Sequence, residues 1–410
     1  MYDVVMIGGG AAGLALSVML KQRAPQLKIA VLEQLDRVGK KLSVTGNGRC
    51  NISNRDLSAF HFHTRSPETA ERVLSSFDSA KTRAFFSSIG VEWIAEDNKF
   101  FPRSLQASSV VDALRFSADR LGVETFCGQK VTAVSRRCDG FTVTAGDFSL
   151  SARCAVIATG GLAGGGKLGS DGDGYAFLSR LGHHIIPQSP VIVQVKTENQ
   201  ITRQLKGIKI TCDVAVTDKN HILATDSGEV LFSDYGLSGP PILQLSRSCK
   251  PGRTVTLDLL PEYSADRLTA LMEQRRNLFK GLPLTEFFAG LLHKRLGQAV
   301  IKACSLPLSQ NCNTLSTRDC AAIAEKTKHF CFSVTGNTGF ANAQATAGGG
   351  DLTEFDFATL MSKKVPGLFA VGETLDVDGD CGGYNLQWAW SSAAVAASGI
   401  IKYLSETHHD

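Results

Sequence analysis

Asp3-Val4-Val5-Met6-Ile7-Gly8-Gly9-Gly10-Ala11-Ala12-Gly13, with the apolar run to Arg23 and the segment Leu27 to Glu33, is the stretch that decides the fold. Val4 to Ile7 reads as a short buried strand. Gly8 to Gly13 is a tight turn, and Ala11 to about Arg23 a helix that stops before Pro25. Leu27 to Leu32 is a second apolar strand, closed by Glu33. Together they form one βαβ unit, whose crossover is right-handed. The turn fits Gly-x-Gly-x-x-Gly. Gly8 permits the tight turn, Gly10 lets the backbone approach a pyrophosphate, and Gly13 lets helix and strand pack closely, with Ala12 between them. The pyrophosphate sits on the free N–H groups of the helix start. Glu33 follows Gly13 by 20 residues, where a carboxylate takes adenosine ribose hydroxyls and repels a 2′-phosphate. Gly164 to Gly169 matches the same expression. It has no strand directly before it and no acid at the right distance, so it reads as an ordinary turn.

The chain has 410 residues, enough for two to three domains at roughly 150 residues each. Hydrophobic residues make up 43% and charged residues 20%, which excludes wholesale disorder and coiled coil. Glycine is abundant, 40 against 12 prolines, and this points to tight backbone approaches rather than a flexible linker-like chain. A net charge of +4 is too mild to announce a nucleic-acid binder. The 11 cysteines are scattered with no Cys-x-x-Cys pair, which suits a reducing compartment and predicts a cytoplasmic protein. No uninterrupted apolar run reaches the ~18 residues of a membrane span.

Leu105 to Leu121 predicts a helix with Val111, Leu114, Ala118 and Leu121 on one face. Residues 131–150 alternate as strands do, from Val131 onward, and Ala155 to Ala158 is a buried strand running into Thr159-Gly160-Gly161. From about 191 the segments 191–196, 208–216, 221–224, 229–233 and 253–259 are short and β-like, which predicts a small antiparallel barrel or sandwich. Residues 263–326 look helical, and the strand pattern returns at 330–334. The chain closes with Gly367 to Glu373, a glycine-rich loop, and an apolar helix over about 385–404.

That closing segment separates FAD from NAD. An NAD dehydrogenase needs a catalytic domain with a His or Lys over its substrate. Here Val371-Gly372-Glu373 is followed by Gly382-Gly383-Tyr384-Asn385, which opens a helix. In two-part flavin folds the acid of such a late strand accepts hydrogen bonds from the ribityl chain. The next helix aims its N-terminus, about half a positive charge, at the ring and stabilises the anionic reduced flavin.

Lys40-Lys41-Leu42-Ser43-Val44-Thr45-Gly46-Asn47-Gly48-Arg49-Cys50-Asn51 resembles the signature loop of a bacterial three-domain flavoprotein family. Its members are catalogued as NAD(P)/FAD-dependent oxidoreductases of the BaiN type and include aminoacetone-oxidase-like and rRNA dihydrouridine-synthase-like proteins. Gly228 to Phe232 with Gly236 to Pro240, and Gly372 to Asp376 with Gly382 to Trp390, resemble its other signatures, so the resemblance spans the whole chain. It implies an α/β fold: an FAD-binding Rossmann-like domain of the two-dinucleotide-binding type, an inserted β-barrel, and a helical subdomain inserted in the barrel. On this sequence the FAD domain is 1–190 with 346–410, the barrel 191–262 with 327–345, and the helical insert 263–326. Two positions depart from the family pattern. Thr359-Leu360-Met361-Ser362-Lys363 stands where Thr-Met-Glu-Ser-Lys is usual, and Asn47 follows Gly46 where Gly is common.

Carried onto this chain, the cofactor site takes Glu33 with Gln34, then Lys41, Gly46, Asn47, Gly48, Arg49, Cys50 and Asn51. It further takes Val131, then Thr159, Gly160 and Gly161. From the C-terminal part it takes Gly372, Glu373, Asp376, Gly383, Asn385 and Leu386. The resemblance implies FAD as cofactor and NAD(P)H as a transient reductant at the flavin face. It implies hydride transfer to an unsaturated or carbonyl-type substrate, with amine or amino-ketone oxidation and RNA-directed chemistry as alternatives. Arg49 is a candidate phosphate partner. Cys50 reads either as a redox or acid group or as a small packed residue. Cys50, Tyr235 and Asp378 are the candidate catalytic groups, because they sit in motifs expected to face the flavin.

Other constellations are weaker. Asp376-Val377-Asp378-Gly379-Asp380 starts like a calcium loop, but Cys381 and Gln387 occupy the positions that need Gly and Glu. His61 and His63 could share a strand face, yet no third metal ligand is visible, and no metal is expected. Residues 263–302 hold seven Lys/Arg against three Asp/Glu, a net +4. This is either a solvated helical face or a patch for RNA, with Arg275, Arg276, Lys294 and Arg295 as the pairs to examine. A small-molecule substrate is the other partner class, no membrane contact is expected, and the oligomeric state is open.

Overall fold

A computed structural model describes residues 1–219 and 221–407. The chain divides into two compact units, residues 191–339 and everything described on either side of them.

In the first unit, β1 (Tyr2–Ile7), α1 (Ala11–Arg23) and β2 (Ile29–Glu33) form the βαβ core, with β1 parallel to β2 from Val4↔Ile29 to Ile7↔Leu32. A short strand β3 (Phe62–His63) follows, then α2 (Ala107–Arg120) and β4 (Glu124–Cys127), which extends the sheet parallel to β2. β5 (Ala133–Arg137), β6 (Gly140–Ala145) and β7 (Phe148–Ile157) form an antiparallel meander, and the end of β7 lies parallel to β1. α1 is buried along nearly its whole length, which is why its sequence is apolar all round rather than amphipathic.

The second unit, among its described residues, is a closed six-stranded barrel of β8 (Val195–Thr197), β9 (Lys209–Asp218), β10 (His221–Phe232), β11 (Gly236–Ser238), β12 (Thr254–Asp258) and β13 (Phe330–Asn337). The helices α3 (Ala265–Leu278), α4 (Lys294–Ala303) and α5 (Thr317–Lys328) are inserted between β12 and β13. Residues 221–224 and 229–233, read separately from sequence, are one strand. Ala224 to Gly228 looks like a turn, yet it pairs without a break against β9, as Asp213↔Ser227 and Cys212↔Gly228.

The return to the first unit falls at 339/340, ahead of the expected 345/346. The Phe340 carbonyl already accepts from Gly164 N–H at 2.9 Å, so this stretch is tied to the first unit before the next strand begins. β14 (Leu368–Ala370) then lies parallel to β7, β15 (Asp378–Gly379) pairs antiparallel with β3, and α6 (Tyr384–Glu406) packs on α1. Trp388 Nε1 donates to Gly372 O at 3.0 Å, and Ser392 Oγ accepts from Gly372 N–H at 2.9 Å. Trp390 Nε1 donates to Ile52 O at 2.9 Å. The two tryptophans thus fix the late glycine segment and the Asn51 loop on one helix. No helix of the described residues is long and apolar enough to cross a membrane.

Candidate functional site

The site starts from the contact between α1 and β1. A Cβ on Gly13 would lie 2.1 Å from the Gly8 carbonyl oxygen, so only glycine lets the helix sit this close to the strand end. Gly10 is the opposite case. It is the residue before α1, has an ordinary extended backbone, and a Cβ there would meet no atom of the described residues within 4 Å. α1 therefore begins without a side-chain cap, and its first-turn N–H groups face open space.

That space is a cavity lined wholly by residues of the first unit. Gly8, Gly10 and Ala12 form one wall, with Glu33 and Gln34 from the end of β2. Lys41, Val131, Thr159 and Gly160 continue it. Gly372, Glu373, Asn385 and Leu386 close it from the C-terminal segment. α6 also starts on a glycine, Gly383, without a side-chain cap. Two uncapped helix N-termini thus meet in one cavity, each offering N–H groups and positive potential.

Glu33 is buried and accepts from Gly9 N–H through Oε2 and from Leu35 N–H through Oε1, both at 2.9 Å. Burial raises its pKa, against the lowering effect of these N–H groups. Each carboxylate oxygen has a second acceptor direction, so Glu33 can hold the loop and still receive ribose hydroxyls. Glu373 accepts from Lys41 Nζ and from Thr346 N–H, both at 2.6 Å, so it joins the two ends of the chain. Thr159 Oγ1 is buried with no hydrogen-bond partner among the described residues. An orphaned hydroxyl, two uncapped helix starts and a ribose-type carboxylate around this volume fit a dinucleotide flavin.

Several expected residues lie elsewhere. Gly13 is spent on helix packing, as its place in the motif implies. Arg49, the candidate phosphate partner, does not line this cavity. Its guanidinium pairs with Glu96 and lies 4.4 Å from the centre of the Phe101 ring. Gly46, Asn47 and Gly48 are absent from the cavity lining, as is Cys50, which packs in the core. Burial pushes the Cys50 thiol up to about 12, which removes it as an acid or thiolate nucleophile near neutral pH. Asn51 packs at the start of α6, with Oδ1 2.7 Å from where a Gly383 Cβ would be. Gly161 lies behind the wall, where Thr346 Oγ1 holds the N–H groups of Leu162 and Ala163. Asp376 is buried and accepts from Arg65 N–H at 3.2 Å. Asp378 is buried in β15, opposite His63. Tyr235 belongs to the second unit.

The reading from sequence also missed part of the wall. Leu168, Gly169, Ser170, Asp171 and Asp173 line the same cavity, so the second glycine stretch frames it without being a pyrophosphate loop. Lys130 Nζ ties this stretch down, 2.7 Å from Asp171 and 2.9 Å from Asp173. The glycines were a usable signal, but the partner Lys130 could not be found by spacing. In the helical insert, Arg275 is buried and donates to the carbonyls of Phe287 and Ala289 at 2.8 and 2.7 Å. Arg276 donates to Leu315 O, and Lys294 pairs with Glu286. Arg295 donates to the carbonyls of Gln204 and Lys206. No group of three or more His, Cys, Asp or Glu among the described residues could hold a metal ion.

The family described as the HI0933-like protein Rossmann domain matches residues 2–399. The chain is 33% identical over 402 residues to a Clostridium scindens protein named 3-dehydro-bile acid delta(4,6)-reductase, covering 97% of this chain and 98% of that one. It is 28% identical over 405 residues to the Escherichia coli protein named ribosomal RNA dihydrouridine synthase, covering 98% of each. Among solved structures, 3-ketosteroid delta1-dehydrogenase from Sterolibacterium denitrificans superposes with a TM-score of 0.52 at 12% identity, over 98% of this chain and 99% of that one. Mycobacterium smegmatis Sdh1 gives 0.51 at 17% identity, over 98% of this chain and 68% of that one. These two likenesses concern the fold.

Proposed function

The chain belongs to the HI0933-like Rossmann family and is an FAD-dependent oxidoreductase, and we propose that it reduces a carbon–carbon double bond conjugated to a carbonyl, with NAD(P)H as the transient reductant. The observation that carries the reading is the pair of uncapped helix starts on one cavity, α1 at Gly10 and α6 through Asn385 and Leu386 of its first turn. The N–H groups of the first turn of α1 bind the pyrophosphate, and Glu33 takes ribose hydroxyls. The first turn of α6, with Asn385 and Leu386, offers its positive end to negative charge on the ring. Lys41 and Glu373 hold the N- and C-terminal walls together. When bound, FAD supplies the hydride chemistry.

The names of two relatives support the substrate class. A delta(4,6)-reductase and a dihydrouridine synthase both saturate a double bond conjugated to a carbonyl. A small-molecule substrate is favoured over RNA, because Arg275, Arg276 and Arg295 donate to backbone carbonyls of their own unit. The test is the visible spectrum of the purified protein, then anaerobic bleaching by NADH or NADPH and reoxidation by a conjugated enone. Absence of flavin absorbance, with no FAD released on denaturation, overturns the cofactor. Bleached enzyme that no conjugated enone reoxidises overturns the reaction.

A further inference from the structure

Saturating a conjugated double bond consumes one hydride and one proton, and the proton needs a donor. The titratable side chains on the cavity wall are committed elsewhere. Glu33 holds Gly9 and Leu35, and Lys41 is paired with Glu373. Lys130 is paired with Asp171 and Asp173, and Lys40 lies 3.8 Å from Asp36. The loop that leaves the cavity at Glu373 and returns at Asn385 carries a cluster of a different kind.

We propose that His63 is the proton donor of this reduction, and that Asp380 orients it; the proposal rests on the reaction read above. The Asp380 carboxylate spans two imidazoles, with His63 Nε2 at 2.8 Å and His61 Nδ1 at 3.0 Å. Asp56 lies 3.4 Å from the other nitrogen of His61, and Tyr384 stacks on that ring at 4.4 Å with the planes 20° apart. A carboxylate can only accept, so His63 Nε2 carries a hydrogen. His63 Nδ1 has no hydrogen-bond partner among the described residues, and its side chain is 34% exposed. One nitrogen held by a carboxylate and the other open is the arrangement of an oriented imidazole acid.

Two consecutive residues of α6 tie the cluster to the cavity wall. Tyr384 stacks on His61. Asn385 lines the cavity, accepts from Gly379 N–H at 2.9 Å and donates to Gly379 O at 2.8 Å. Gly379 directly precedes Asp380. On the far side, Asp380 N–H donates to His61 O at 2.9 Å. The step balances as follows. The β-carbon receives a hydride, with its two electrons, from reduced flavin. The π pair of the double bond forms the second new C–H bond, taking the proton of His63 Nδ1 at the α-carbon. His63 is left neutral and regains a proton from water on its exposed face.

The test uses reduced holoenzyme, mixed anaerobically with 2-cyclohexenone or with ferricyanide, which takes electrons without a proton delivered to carbon. In His63→Gln and His63→Asn, reoxidation by the enone is expected to slow by about 100-fold or more. Reoxidation by ferricyanide and the bound-flavin spectrum stay as in the wild type. Enone rates within about threefold of the wild type overturn the inference alone. So do rates that fall equally with both acceptors, which mark a structural role. A wild-type protein that no conjugated enone reoxidises overturns the proposed reaction, and this inference with it.

Discussion

Gly10→Leu separates cofactor binding from folding. Gly10 has φ −81° and ψ −165°, a region open to any residue, and a Cβ there has open space. Replacing glycine before a helix by an apolar residue costs about 0.5–1 kcal/mol of capping. Restricting the unfolded chain returns about 0.4–1 kcal/mol, so the fold should be nearly unchanged. The new side chain, however, stands in front of the first turn of α1. Losing two charge-assisted hydrogen bonds of about 1.5–3 kcal/mol each weakens FAD binding by at least ~3 kcal/mol. That is more than about 100-fold in Kd. Apo protein titrated with FAD by flavin fluorescence, beside a thermal melt of the apo form, reads both quantities. Gly13→Ala should show the converse, a depressed melt, since its Cβ would meet the Gly8 carbonyl oxygen at 2.1 Å. Wild-type FAD affinity in Gly10→Leu refutes the placement of the pyrophosphate at α1.

Three more outcomes are expected. Gln387 is fully buried, accepts from Ser53 and Thr82 hydroxyls and donates to Phe77 O at 2.9 Å; Gln387→Leu strands these groups and should lower stability by about 2–4 kcal/mol in a urea melt. His183 is buried between Glu354 and Ser362, at 2.8 and 2.9 Å, and burial lowers its pKa although Glu354 opposes this. A lowered folded pKa means stability is present above the unfolded value near ~6.5 and is lost as pH falls. His183→Gln should flatten the dependence of the urea midpoint on pH between about 6.5 and 5, and an unchanged slope contradicts it. A thiol reagent at mildly alkaline pH should label Cys127, Cys138 and Cys331, which are exposed, and leave Cys50 unmodified until the protein is unfolded, as peptide mapping will show.

The glycine turn, Glu33 and the late Gly372-Glu373 were legible because each is a backbone or end-of-strand requirement, decided within a few residues. Arg49, read as a candidate phosphate partner, is paired elsewhere for a related reason, whereas Cys50 packs in the core, one of its two readings. A motif tells which loop approaches the cofactor but not which side of the loop faces it. Arg49 turned to Glu96 and Phe101, partners about fifty residues away that no spacing rule connects to it. Lys130 with Asp171 and Asp173, and Asp380 with His61 and His63, are also long-range pairs. They exist only once the sheet has brought separate segments together. The Ser362 of the divergent 359–363 segment turned out to anchor His183, a packing role the motif alone did not announce.

β14 and α6 complete a cavity begun by β1 and α1, with residues 191–339 made in between. On the ribosome, a chain that has emerged as far as residue 367 has its glycine turn and ribose carboxylate but lacks the wall that Gly372, Glu373, Asn385 and Leu386 supply. Cofactor capture therefore waits until the segment through Leu386 has been synthesised. Nascent chains interrupted before Leu386 should be flavin-free substrates for proteases, while finished ones gain ligand-linked protection. The order of the segments makes the flavin a checkpoint for translation through α6.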